Sequence, residues 1–285
     1  MMTRVKKATA KSEFRSQGSR VGDVVSGAIL LGFVGLALLP FLFMAITSIQ
    51  KTKRITANLD FSAITLSNYV SVFTQNGFGK ALLTSVIVVT LACTVNAIVC
   101  SLAAYGFAKR PFPGSEVLFW LYIATMMVPG QVTLIPLFMM MRDLGLLNTY
   151  VSLFLPIINA FGVFLIRQFM NSIPNEMLEA ARIDGASEIQ VFLRIVLPPL
   201  KPVIVALTVF TFLSTWNDFL WPLVSISNDQ MQTVTLAVAK LQGRALTDYG
   251  LVMAGATVSF LVPLIMYIIL QKQFVEGVTS SSVKG

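Results

Sequence analysis

Five stretches of the chain carry no Asp, Glu, Lys or Arg: residues 24–50, 81–108, 117–141, 144–166 and 249–271. Each exceeds the roughly 20 residues that a helix needs to cross about 30 Å of hydrocarbon. A sixth, 202–224, is interrupted only by Asp218. Backbone polar groups in lipid must be satisfied within the chain, which leaves helices or closed barrels. Barrel strands are short and alternate, whereas these runs are continuous. The pattern predicts an all-α membrane protein with six transmembrane helices. The first run follows a basic segment, as a cleaved secretory signal would. At 27 residues it is longer than the 7–15 of a signal core. It is expected to be retained.

Composition agrees with that reading. Only 12% of residues are charged and 55% are hydrophobic, too little charge to coat a soluble domain, where about 25% is usual. The net charge of +8 would suit a nucleic-acid binder, but such a protein also needs a polar surface. Mapped onto the spans, the positive residues report topology instead. Fourteen Lys and Arg fall on the side of the first tail, among them Lys109, Arg110, Arg182 and Lys201, and seven on the other. Both ends are therefore expected to be cytoplasmic, with the tail also free to touch anionic lipid headgroups. The expected organisation is a basic tail (1–23), a first transmembrane helix (24–50), a five-helix core (81–271) and a C-terminal tail (272–285). Residues 51–80 and 225–248 are long enough to contact a partner on the opposite side. Pro40, Pro129, Pro136, Pro156 and Pro263 fall inside spans, where they kink helices.

Candidate chemistry is sparse. The chain has no histidine, which excludes His-based acid/base catalysis, Ser-His-Asp triads and His-ligated zinc. Cys93 and Cys100 lie seven residues apart in one apolar run, about 10 Å along a helix and too far to bridge. No phosphate loop occurs; the nearest look-alike, Gly77-Phe78-Gly79-Lys80-Ala81, lacks both spacing and hydroxyl. The chain cannot hydrolyse ATP itself, and neither a catalytic nor a metal site is expected.

The segment between spans 4 and 5 (171–201) is the one long loop on the positive side. Pro174 suits a first helical turn and Glu176 and Glu179 favour its positive end. Gly185 is the expected stop. Ser187 with Gln190 forms a capping box for a second helix. Its apolar residues Ile189, Phe192, Leu193 and Val196 share one helical face, and Pro198 and Pro199 are expected to end it. The result is a helix–Gly–helix elbow, suited either to another protein's groove or to lying on the membrane surface.

Glu179-Ala180-Ala181, three residues, Gly185, nine residues, then Ile195-x-Leu197-Pro198 resembles the cytoplasmic signature of permease subunits of binding-protein-dependent ABC importers. Seven fixed positions arise by chance on the order of once per 10⁸ windows. The likeness covers essentially the whole chain and is greatest to the carbohydrate branch, in particular to maltose-permease-like second membrane subunits. Its carriers include Trp216-Asn217-Asp218-Phe219-Leu220-Trp221-Pro222, Met253-Ala254-Gly255-Ala256 and Gln273-Phe274-Val275-Glu276-Gly277. The final Ser281-Ser282-Val283-Lys284-Gly285 departs from the pattern. The resemblance implies a bacterial or archaeal cytoplasmic-membrane subunit that pairs with a second permease. Two ATPase subunits would bind ATP and Mg, and an extracytoplasmic binding protein would deliver a sugar. It implies that Glu179, Ala180, Ala181, Gly185, Ile195, Leu197 and Pro198 form the coupling helix that docks on an ATPase.

For a substrate path the polar span residues Asn159, Thr211, Ser214, Asn217 and Asp218 are candidates, since hydroxyls and amides suit a neutral sugar. Equally, such residues serve as interhelical ties, and Asp218 lies about 25 Å along its helix from Lys201, where it could cap a kink. An ion-coupled secondary carrier is the alternative; inverted repeats and midplane carboxylates would mark it.

Overall fold

A computed structural model describes residues 5–53, 63–75, 77–242 and 248–279. Arg54, Arg244 and the departing tail 281–285 lie outside the described residues. The chain forms thirteen α-helices among the described residues: α1 (Val5–Ser48), α2 (Ser67–Gln75), α3 (Phe78–Lys109), α4 (Ser115–Ala124), α5 (Gly130–Asp143), α6 (Tyr150–Phe154), α7 (Ala160–Asn171), α8 (Asn175–Ile183), α9 (Glu188–Val191), α10 (Lys201–Trp216), α11 (Leu220–Ser225), α12 (Val234–Gln242) and α13 (Tyr249–Thr279). Four helical stretches among the described residues are long and apolar enough to cross a membrane unaided: Gly22–Ser48, Phe78–Lys109, Pro198–Trp216 and Tyr249–Ile269. Two bent pairs complete the six expected spans.

Those pairs are the third and fourth spans, bent next to two of the prolines expected to kink them. The third turns through 105° between Met127 and Gly130. Pro129 is the cause: it disfavours the helical conformation for the residue before it, and Val128 is extended (φ −83°, ψ 119°). The fourth bends by 46° between Ile157 and Ala160. There Pro156 sits in a 3₁₀ turn, and Asn159 caps α7 by accepting the Gly162 N–H at 3.2 Å. Pro40, Pro136 and Pro263 stay inside their helices. The fifth span is shorter than expected, because α10 stops at Trp216 and the chain breaks before α11.

Among the described residues two large cores hold the bundle, with a small third cluster at Val88, Leu153 and Ile226. At the elbow end, Tyr105, Phe119, Ile166, Met170, Leu178, Val196 and Leu207 join α3, α4, α7, α8 and α10. At the opposite end, Val72, Phe78, Trp216, Val234 and Ala254 join α2, α3, α10, α12 and α13. Much of segment 225–248 is thus not free: α12 folds back with Leu236 and Leu241 buried, and the Val234 N–H donates to Ser85 Oγ at 2.8 Å. Between the cores runs a polar tie. Asn96, fully buried, donates to Thr211 Oγ1 at 2.9 Å and accepts from Cys100 Sγ at 3.2 Å. Gly162 permits this close approach, since a Cβ there would lie 2.6 Å from Cys100 Sγ.

Helix α1 packs along α13, with Phe41 stacked on Phe260 at 4.5 Å between ring centroids. Its end is fixed by a knot. Asn68 donates to the carbonyls of Ser48 and Gln50 at 2.8 and 2.9 Å, and the Ser48 and Tyr69 hydroxyls share a bond of 2.7 Å.

Candidate functional site

The elbow is built by local rules. Pro174 stands just before α8, and Asn175–Ile183 form two and a half turns that bury Leu178 (1% exposed). Burying one such side chain from water contributes about 1.5–3 kcal/mol. Gly185 (φ +84°) stops the helix: its N–H bonds the Arg182 carbonyl at 3.1 Å, and the Ala186 N–H bonds the Ala181 carbonyl at 3.0 Å. This pair of bonds is a Schellman motif, which satisfies two carbonyls that the helix leaves open. Ser187 then caps α9 through a full capping box with Gln190.

Past α9 the expectation fails in an instructive way. Pro198 and Pro199 do not end the helix. Phe192–Val196 form a π turn, with the Leu197 N–H bonding the Phe192 carbonyl at 2.8 Å. Pro198–Leu200 then tighten into a 3₁₀ turn that runs straight into α10. Two successive residues without an N–H cannot continue an α-ladder, so the backbone widens before them and narrows through them. The extra residue in the π turn also shifts the buried face. Val191 and Val196, five apart, are both 0% exposed, whereas Ile189 is 72% exposed and Leu193 also faces out. The four residues expected on one face are therefore split. Ile189 and Leu193 border a groove of about 860 Å³ against Ile98 and Leu102 of α3.

What remains on the free side of α8 is an apolar strip, Met177, Ala180 and Ile183, with Ile183 86% exposed. Glu176, Glu179 and Asp184 flank it in the exposed class. A surface helix on anionic lipid carries Lys and Arg on its polar face; this face carries carboxylates. Of the other signature residues, Ala181, Ile195 and Leu197 are half-buried, and Gly185 and Pro198 are exposed.

Five residues that sequence reading had not singled out as functional hold the elbow in place: Tyr105, Lys109, Arg110, Arg182 and Glu188. Glu188 accepts from Arg110 Nη1 and Arg182 Nε, both at 2.8 Å, and from the Tyr105 hydroxyl at 2.8 Å. Lys109 Nζ donates to the Ile173 carbonyl at 2.6 Å and to Asn175 Oδ1 at 3.0 Å. Hydrogen bonding by Arg182, then by Tyr105, holds the Glu188 carboxyl below the usual carboxylate range. Lys109 and Arg110 had been read only as topology markers. Their place at a helix end, opposite the first acid of a capped helix, was the available signal.

The five path candidates separate. Thr211 is buried and bonded by Asn96. Asp218 sits in the break after α10, where a carboxylate oxygen accepts the Trp221 N–H at 3.3 Å. Asn159, Ser214 and Asn217 are exposed. Ser214 and Asn217 donate to the carbonyls of Phe210 and Leu213 at 2.8 and 2.9 Å. Asn217 also borders a cavity of about 530 Å³ with Trp216, Phe219, Gln242, Ser259 and Phe260.

A family model for the inner membrane component of binding-protein-dependent transport systems matches residues 97–280. This chain belongs to that family. Among its relatives, the arabinooligosaccharides transport system permease protein AraQ of Halalkalibacterium halodurans is 31% identical over 93% of this chain and 99% of its own length. The lactose transport system permease protein LacG of Rhizobium radiobacter is 33% identical over 92% of this chain and 97% of its own. The fold is that seen in the crystal structure of a bacterial ABC transporter involved in the import of the acidic polysaccharide alginate. That likeness has a TM-score of 0.79 at 24% identity, covering 90% of this chain and 98% of the other. The family match takes in the end of α3, the whole elbow and α10, so the Glu188 cluster lies inside the transport component's shared region.

Proposed function

We propose that this chain is one of two membrane subunits of an ATP-driven importer for a neutral sugar or short oligosaccharide. The observation that carries the reading is α8: a helix stopped at Gly185 that presents Met177, Ala180 and Ile183 between carboxylates, on a face left exposed among the described residues. Such a strip fits a groove on a partner. An ATPase docked there supplies the energy this chain cannot generate, and a second ATPase docks on the equivalent elbow of the partner permease. ATP and Mg belong to those subunits. Both termini lie on the cytoplasmic side, with the elbow, in line with the 14-to-7 bias of Lys and Arg. An extracytoplasmic binding protein delivers the sugar to the opposite end.

Relatives named for arabino-oligosaccharides and lactose support the substrate class, and the polar residues agree with it. Asn159, Ser214 and Asn217 offer amides and a hydroxyl without charge. The cavity beside Asn217 is lined by the aromatic residues Trp216, Phe219 and Phe260 and by Gln242 and Thr235, together with Val238, Ala239, Ala256 and Pro263. Thr211 and Asp218 contribute by the positions they fix.

The test is purification of the complex from membranes, followed by reconstitution. ATP turnover that rises on adding the binding protein, with uptake that stops when ATP is withheld, is the expected result. Uptake that persists without any ATPase subunit and follows a proton or sodium gradient would replace this reading with an ion-coupled carrier. Titrating the binding protein with a panel of mono- and oligosaccharides names the sugar.

A further inference from the structure

We infer that the end of α3 latches the elbow, and that α3 is the rod carrying its displacement through the bundle. The inference rests on the function proposed above. Two adjacent residues grip the two sides of α8. Lys109 holds the segment before it, at the Ile173 carbonyl and Asn175. Arg110 holds Glu188, just after it, with Tyr105 one turn back bonding the same carboxylate. The Tyr105 ring also meets Phe192 edge-on at 5.3 Å. Helix α8 therefore cannot pivot against α3 without giving up one of these anchors.

Stiffness separates α3 from its rival. Helix α10 follows the elbow directly in the chain, but through a π turn and a 3₁₀ turn. Such irregular turns mark hinges, and a hinge absorbs displacement. Helix α3 is a single element of 32 residues without proline, about 48 Å long at 1.5 Å per residue. At its far end Lys80 Nζ bonds Gln230 at 2.5 Å and Ser85 bonds Val234, so the rod ends on the segment that faces the binding protein. The latch is half exposed at Arg110 and Glu188. Single surface pairs of this kind are weak, and only a network of them has consequence; here one carboxylate is shared by three donors.

The experiment uses the reconstituted complex and reads the ratio of ATP turnover with binding protein to turnover without it. Arg110→Ala is expected to lower that ratio roughly fivefold, the scale of a typical coupling between sites, while ATPase subunits co-purify at parental levels. Arg110→Lys keeps most of the ratio. Tyr105→Phe, which removes one oxygen, lowers it roughly twofold, and adds little further in the Arg110→Ala background because both act on one carboxylate. An unchanged ratio in Arg110→Ala, or strictly additive effects of the two variants, overturns the latch. If Arg110→Ala fails to assemble, Tyr105→Phe alone decides, and a parental ratio there overturns the latch. A parental complex that co-purifies without any ATPase would instead overturn the function on which the latch rests.

Discussion

Helix α10 is interrupted at both ends, and the two interruptions are made differently. At the elbow end, Pro198 and Pro199 deprive the backbone of two donors, yet the chain stays helical by widening and then narrowing its turns. At the other end no proline lies within the break, but Pro222 inside α11 has no N–H to return to the Asp218 carbonyl four residues back. The helix stops at Trp216 because partners wait beyond it: Asp218 caps α11 at the Trp221 N–H, and the Thr235 hydroxyl donates to the Asp218 carbonyl at 2.8 Å. One break is written in covalent chemistry and bends without ending the helix. The other adds a tertiary contact to a carbonyl that Pro222 leaves open, and there the helix ends.

The elbow side breaks most sharply at Gly185. A valine there must adopt φ +84°, a left-handed conformation that costs about 1–2 kcal/mol for a residue with a Cβ. Gly185→Val is expected to abolish ATP-dependent uptake at normal membrane abundance, read by sugar uptake against immunoblot. Full uptake would mean that the angle between α8 and α9 is irrelevant to transport. The far side breaks at Gly250, where a Cβ would lie 2.1 Å from the Gln50 carbonyl oxygen and 2.7 Å from Asn68 Nδ2. Gly250→Ala should destabilise the chain by about 1–3 kcal/mol, whereas Gly106→Ala, with nothing within 4 Å, should not. Thermal unfolding in detergent compares the two.

Smaller effects sharpen the contrast. Asp218→Ala and Ser187→Ala each remove a cap worth about 1 kcal/mol, but only the first frees the main-chain segment whose residue-218 carbonyl holds Thr235 of α12. Proteolysis within 225–242 then rises in Asp218→Ala and stays parental in Ser187→Ala. The smallest effect is on pH. The folded protein holds the Glu188 carboxyl below its ordinary range, so its contribution to stability is present above the unfolded-state value. That contribution is lost as pH falls through the lower, folded-state value. Protease protection of the elbow should therefore hold at neutral pH and decline only in acid, with Glu188→Gln removing the acid decline.

These differences explain what could be read in advance. The spans were legible because charge-free length is a property of each segment alone. Pro174, Gly185 and the Ser187–Gln190 box were legible because a cap is satisfied within a few residues. The 105° turn at Pro129 could be placed but not sized, since a proline marks a kink without fixing its angle. The π turn escaped because it solves a problem further along the chain, and it brings Val196 onto the face that Val191 and Phe192 bury, leaving Ile189 and Leu193 outside it. Lys109, Arg110 and Tyr105 escaped for another reason: their partners lie more than 60 residues away. Asn159, Ser214 and Asn217 stand out in the sequence as polar groups in apolar runs, but exposure and cavity lining belong to the assembled bundle.

The packing of α1 along α13 has a consequence for how the protein is made. The first helix leaves the ribosome some 200 residues before the last one begins. At roughly 5–20 residues per second, α1 waits about 10–40 s in the bilayer without its chief partner in the chain. The surface it later offers to Phe260 faces lipid in the meantime. The bundle closes only when its two ends meet, so a chain truncated before residue 249 leaves the first helix held at its end alone, by Asn68 and Tyr69.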